Sequence, residues 1–223
     1  MSLATETPRS WWPKSDEIHR PLSTVTFESS MEDPEFDLIR AIANGDEAAF
    51  EQVVRRYQGP VITFIYRYIG DFHSAQDLAQ EVFLRVFQAA PNFKPKGKVS
   101  NWVFTIAYNL SANELKRRRR MHGFHAEISA EGWGLRGRTS ASPIGAGNRE
   151  LEERLMAAMG QLPENQRAAL LLKINEGLTY LEISNVLNVS VVSVESLIFR
   201  ARSRLKQLVR ASPGTPPEST VGS

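Results

Sequence analysis

Apolar residues recur along most of this chain at intervals of three and four, the period of a helix with one buried face. Phe36, Ile39, Ile42 and Ala43 mark a first short helix, stopped by Asn44-Gly45. Asp46 caps a second, in which Phe50, Val53, Val54, Tyr57, Val61, Phe64, Ile65 and Tyr68 stay near one face. Gly59-Pro60 interrupts that run, which predicts a kink or a split in two. Gly70-Asp71 closes it, and Ser74-Ala75-Gln76-Asp77 reads as a capping box opening a third helix. There Leu78, Val82, Phe83, Val86 and Phe87 can face inward, while Asp77, Glu81, Arg85 and Gln88 line up outside. After a Pro/Gly/Lys loop from Asn92 to Lys98, Ser100 caps a helix carrying Trp102, Val103, Ile106, Ala107 and Leu110. That helix runs into the basic block Lys116 to Arg120.

A second helical group begins near residue 149. Leu151, Leu155, Met156 and Met159 form a stripe ended by Gly160, and Pro163 suits the first turn of a helix carrying Leu170, Leu171, Leu172 and Ile174. Thr179 to Glu182 is a capping box, followed by Ile183, Val186 and Leu187 at helical spacing. A break at Asn188, Val189 and Ser190 starts another helix with Ser190 as N-cap and Val191, Val194, Leu197, Ile198 and Leu205 on its apolar face. The opposite face carries Ser193, Glu195, Ser196, Arg200, Arg202 and Arg204. A short helix, a tight turn and a longer helix with a polar, increasingly basic face predict a helix-turn-helix. Spacing alone also admits a plain αα-hairpin with a solvated charged face.

The expected architecture is all-α, with two small helical domains. Residues 33–120 form the first and 149–210 the second, joined by a Gly/Ser/Ala-rich flexible linker over 121–148. Residues 1–32, with Pro8, Pro13, Pro21 and the pair Trp11-Trp12, and the tail 211–223 read as disordered.

Composition narrows the functions. The net charge of +2 is nearly balanced, so the whole-chain field announces no nucleic-acid partner, but Lys116–Arg120 and the basic residues from Arg200 to Arg210 are local candidates for phosphate contacts. The chain has no cysteine, which removes disulfides and thiolate metal sites. His19, His73, His122 and His125 are scattered, no phosphate-binding glycine loop occurs, and no acidic cluster has metal-ligand spacing. We expect no catalytic residues, no metal, no cofactor and no enzyme activity. No run has the length of a membrane span and the start lacks a signal peptide, so the expectation is a cytoplasmic protein without membrane insertion.

The wording of the second group is more specific than its spacing. Leu162-Pro163-Glu164, Arg167, Ala169-Leu170-Leu171-Leu172, Glu176-Gly177-Leu178, Tyr180, Glu182-Ile183, Val189-Ser190 and Phe199-Arg200-Ala201-Arg202 together resemble region four of the extracytoplasmic-function sigma factors of bacterial RNA polymerase. Asp77-Leu78-Ala79-Gln80-Glu81-Val82-Phe83 resembles region two of the same family, and Trp102, Ile106-Ala107 and Asn109 its minus-ten segment. The resemblance implies core RNA polymerase as partner, through the clamp coiled coil of its largest subunit and its flap, with promoter DNA and room for an anti-sigma factor.

It places Asp77, Gln80, Glu81, Phe83 and Arg85 at the polymerase, although Phe83 is equally readable as core. It places Lys98, Asn101, Trp102, Tyr108, Asn109, Arg117 and Arg118 at the minus-ten element, with one base held beside the loop before the helix. The minus-thirty-five element falls to Ser190, Ser193, Glu195, Ser196, Phe199 and Arg200, with Arg202 and Arg204 on phosphates. Glu195 departs from the family, which favours a basic residue there; a carboxylate can accept from a cytosine amino group or steer a flank off the phosphates. The alternative function is a stand-alone helix-turn-helix regulator. The stripe led by Asp77 discriminates, because such a regulator has no use for it.

Overall fold

The computed structural model describes residues 35–94, 97–122 and 149–211. Eight α-helices run through them: α1 (Phe36–Ala43), α2 (Glu47–Ile69), α3 (Phe72–Ala89), α4 (Val99–His122), α5 (Arg149–Gly160), α6 (Glu164–Asn175), α7 (Tyr180–Leu187) and α8 (Val191–Ala211). A 3-10 turn, Ala90–Asn92, follows α3. No strand occurs among the described residues.

The caps explain most boundaries. The Asp46 carboxylate accepts from the Ala49 N–H at 3.0 Å and starts α2. Gly70, at φ 78°, ends α2 in the left-handed conformation that glycine adopts without steric cost. Extended Asp71 then accepts from the Ser74 N–H at 2.9 Å, so α3 starts at Phe72. The predicted box at Ser74 is therefore displaced by an earlier cap, and Ser74 lies in the first turn. Likewise α4 begins at Val99, ahead of Ser100, and continues through Met121 and His122 past the predicted boundary.

Pro60 does not split α2, which is continuous from Glu47 to Ile69. Gly59 and Pro60 lie on the exposed side. The Arg56 carbonyl that loses its partner there belongs to an exposed turn, and the buried row Tyr57, Val61, Phe64, Ile65 keeps the helix continuous across the gap.

The core of the first half gathers Val53, Phe64, Ile65 and Tyr68 of α2, Val82 and Val86 of α3, and Val103, Phe104 and Leu115 of α4. Glu35, buried at the foot of α1, receives the Tyr57 hydroxyl and an Arg56 guanidinium N–H at 2.6 Å, which fastens α1 to α2. In the second half Leu170 and Leu172 of α6, Ile183 of α7, and Val194, Ile198 and Ala201 of α8 interlock. Three residues assigned inward by period are exposed instead. Phe87 is 44% exposed and meets Phe50 edge-on at 5.3 Å on the rim, Val191 sits at the outer start of α8, and Ile174 lies in the last turn of α6 beyond the packed face.

The larger departure concerns the two halves. The described residues between 35 and 211 form one compact unit, because α4 packs on α7 and α2 on both α5 and α6. The predicted extension 1–32, including Trp11-Trp12, the linker beyond His122, His125 and the tail from 212 lie outside the described residues.

Candidate nucleic-acid and polymerase interfaces

The helix-turn-helix is assembled by two local devices. Thr179 and Glu182 form the full capping box: the Thr179 hydroxyl accepts from the Glu182 N–H at 3.2 Å, and Glu182 accepts the Thr179 N–H at 2.7 Å. Asn188 then ends α7 at φ 53°, a left-handed position that asparagine tolerates better than most residues. The Val189 N–H closes back on the Ser184 carbonyl at 3.0 Å. Ser190 accepts from the Ser193 N–H at 3.2 Å and caps α8. The axes of α7 and α8 consequently meet at 97°, within the range of this motif.

All eight residues read from the sequence as minus-thirty-five contacts are exposed: Ser190, Ser193, Glu195, Ser196, Phe199, Arg200, Arg202 and Arg204. The Ser190 and Ser193 hydroxyls are 2.8 Å apart, so both are shared with the cap. Phe199 is 71% exposed although Val194, Ile198 and Ala201 beside it are buried. Val192, at 72% exposure, belongs to the same outer surface, and periodicity did not nominate it. A depression bounded by Tyr180, Glu195, Ser196, Ile198, Phe199 and Arg202 marks where that surface meets α7.

On α3, Asp77 and Gln80 are exposed and Glu81 is half-buried, paired with Arg85 at 2.7 Å. Phe83 is core at 6% exposure, and its place in the predicted polymerase set is corrected accordingly. Leu84 and Phe87, which the reading of the sequence left out of the interface, stand exposed beside the stripe. Their signal was present, since they fall three and six residues after Glu81 on the outward side.

The minus-ten candidates divide. Asn109 and Arg117 are exposed, whereas Trp102 packs against Phe93 with ring centres 4.6 Å apart. Asn101 is half-buried and its side-chain oxygen has no hydrogen-bond partner. Lys98 is exposed but paired with Glu182 of α7 at 3.1 Å. Part of the loop expected to form a base pocket, Pro95 and Lys96, lies outside the described residues.

The basic block is likewise organised. Arg117 and Arg118 both bond to Glu114, Arg118 also reaches the Ser74 hydroxyl at 2.6 Å, and Arg119 pairs with Glu164 of α6. Donation from Arg117, helped by Arg118, holds the Glu114 carboxyl below its ordinary range against the effect of burial. Among the described residues no three His, Asp or Glu side chains group as a metal site requires. No single described helix is long and apolar enough to cross a membrane.

Fold and surface thus define an all-helical chain with a helix-turn-helix at one end and an exposed polar stripe on a separate helix. Sigma-70 region 2 matches residues 53–121, and Sigma-70, region 4 matches residues 152–205. RNA polymerase sigma-H factor of Pseudomonas aeruginosa is 32% identical over 178 residues, covering 78% of this chain and 92% of that protein. The ECF RNA polymerase sigma factor SigW of Bacillus subtilis is 29% identical over 181 residues, covering 77% and 95%. The chain belongs to the extracytoplasmic-function sigma factors of the sigma-70 family. Among solved structures, CnrH in complex with the cytosolic domain of CnrY has the same fold, with a TM-score of 0.61 and 23% identity over 81% of this chain and 99% of that one.

Proposed function

We propose that this sigma factor joins core RNA polymerase in the cytoplasm and directs it to promoters, with each step assigned to its own surface. Residues 33–122 form the module that binds polymerase and opens the minus-ten DNA, and residues 149–211 the module that holds the minus-thirty-five duplex. Asp77, Gln80, Glu81 and Arg85 bind the clamp coiled coil of the largest subunit, with Leu84 and Phe87 as an apolar margin. The observation that carries this reading is the exposure of Asp77 and Gln80, with Leu84 and Phe87 beside them, on the outward side of α3 over a filled core.

Phe199 and Arg200 face base edges of the major groove, since a thymine methyl accepts an apolar contact and guanine a guanidinium. Arg202 and Arg204 hold phosphate, and Glu195 accepts from a cytosine amino group. Asn109 offers a donor and an acceptor to a base turned out of the stack, and Arg117 and Arg118 hold the strand beside it. Bond making belongs to the polymerase; this chain supplies position and strand separation.

Run-off transcription with core polymerase on a library of random promoters tests the whole reading and yields both DNA elements. Reversing charge at Asp77 and Glu81 (Asp77→Arg with Glu81→Arg) is expected to weaken polymerase association at least tenfold, about 1.4 kcal/mol, with the helical circular dichroism unchanged. Undiminished transcription by that variant would refute the assignment.

A further inference from the structure

The outward line of α8 is apolar at both ends of its first two turns. Val192 and Phe199 are 72% and 71% exposed, with six residues between them. In a regular helix that spacing sets them only about 20° apart around the axis. Both lie opposite the core residues Val194 and Ala201, so they point directly away from the body of the protein. Glu195 and Ser196 fall between them, one on each side of the line, and both are exposed. Arg202 and Arg204 follow, again on opposite sides of it.

A helix that needed only solubility would carry polar residues opposite its core, and one that gripped phosphate alone would carry cations there. The edges of the bases explain the order found. In the major groove the C5-methyl of thymine is the one apolar group. An apolar side chain set against guanine or adenine covers acceptors and returns no hydrogen bond, whereas against thymine it buries a methyl. A carboxylate is repelled by guanine N7 and O6 and by thymine O4. Cytosine alone offers it an amino donor with no acceptor beside it on the same base.

With α8 assigned to the minus-thirty-five duplex as above, on which this rests, we infer that Val192 is a specificity-determining residue. Val192 and Phe199 each cover a thymine methyl, and Glu195 binds a cytosine amino group between them. At a rise of about 1.5 Å per residue the two apolar contacts lie roughly 10 Å apart, which is about three base pairs at about 3.4 Å each. The element this chain selects therefore holds two thymines, on the same strand or on opposite strands, about three pairs apart. A C·G pair stands between them. Arg202 and Arg204 hold the phosphates on either side and fix the depth at which Val192 and Phe199 enter the groove.

The test uses the full chain with core polymerase. A promoter is recovered by transcription from a random library, and each thymine of its minus-thirty-five element is replaced in turn by deoxyuridine. That exchange deletes one methyl and keeps every hydrogen-bonding group. Two positions about three pairs apart are each expected to lose roughly fourfold in holoenzyme affinity, the ~0.8 kcal/mol of one buried methyl. Val192→Ser is expected to abolish the loss at one of these positions alone, and Phe199→Ala at the other. Both side chains are exposed, so neither change disturbs the core. Selection with Glu195→Gln is expected to return adenine in place of the intervening cytosine, because adenine offers an amide both a donor and an acceptor. Thymines indifferent to the loss of their methyls, a Val192→Ser protein that responds to every exchange as the parent does, or a Glu195→Gln selection that still returns cytosine overturns the inference while the sigma function stands. A library from which no promoter is recovered sinks the functional assignment itself.

Discussion

Glu176, between α6 and α7, shows how one side chain can make stability depend on pH. Burial pushes its carboxyl up to about 7, with Arg67 of α2 the opposing charge. In the unfolded chain a glutamate titrates near about 4.3. The folded state therefore binds the extra proton, and stability falls as pH rises from the unfolded value through the folded one. Above about 7 the loss is complete and the curve levels. Thermal midpoints of the parent, measured against Glu176→Gln across that window, are expected to decline by comparison and then run parallel; curves parallel throughout would refute a buried, protonated Glu176. Nothing in the sequence announced this, because Glu176-Gly177-Leu178 reads there only as wording shared with region four. Glu195 and Arg200 were legible, since a polar face opposite a core stripe leaves one orientation available to them. Phe83 was not: its neighbour Leu84 is as apolar, and only the packing around α3 decides that Phe83 goes in and Leu84 out.

At the scale of elements, local chemistry made most of the fold readable. Asp46, Thr179 with Glu182, and Ser190 each bond the backbone N–H groups they were expected to cap. Where two caps competed, at Asp71 and Ser74, the choice depended on Gly70 turning the chain left-handed and presenting Asp71 first. Pro60 is the case in which tertiary packing overrode a local signal. Its helix survives because four buried side chains span the gap and the turn that carries the unpaired carbonyl is exposed. Pro60→Ala restores an N–H to that turn and should raise stability by about 1 kcal/mol. That is well below the ~3 kcal/mol propensity difference, because that turn is exposed and proline also restricts the unfolded chain. For a domain of this size the midpoint should rise by roughly 2–4 °C. A fall would mean that the proline shapes α2 in a way its exposed position does not show.

For the whole molecule, sequence patterning predicts two modules on a tether, whereas the buried apolar residues of both halves join in one cluster across the α4–α7 and α2–α6 contacts. What patterning misses is the seam, whose members are Lys98, Arg119, Glu164, Arg167 and Glu182, residues that any surface helix carries and that water would satisfy equally well. Only Arg167 is committed: it binds three carbonyls from both halves at once, Tyr68 on one side and Gly160 and Leu162 on the other. A guanidinium reaches three acceptors in a fixed fork where an ammonium on a shorter reach does not. Arg167→Lys keeps the charge and should lose the carbonyl across the seam first, since the two in its own half are nearer in sequence. Calorimetry of the parent is then expected to show one cooperative transition and the variant two, the halves melting separately. A single transition merely shifted downwards would mean that α2 and α6 remain coupled by their apolar contacts, and that Arg167 serves the second module alone.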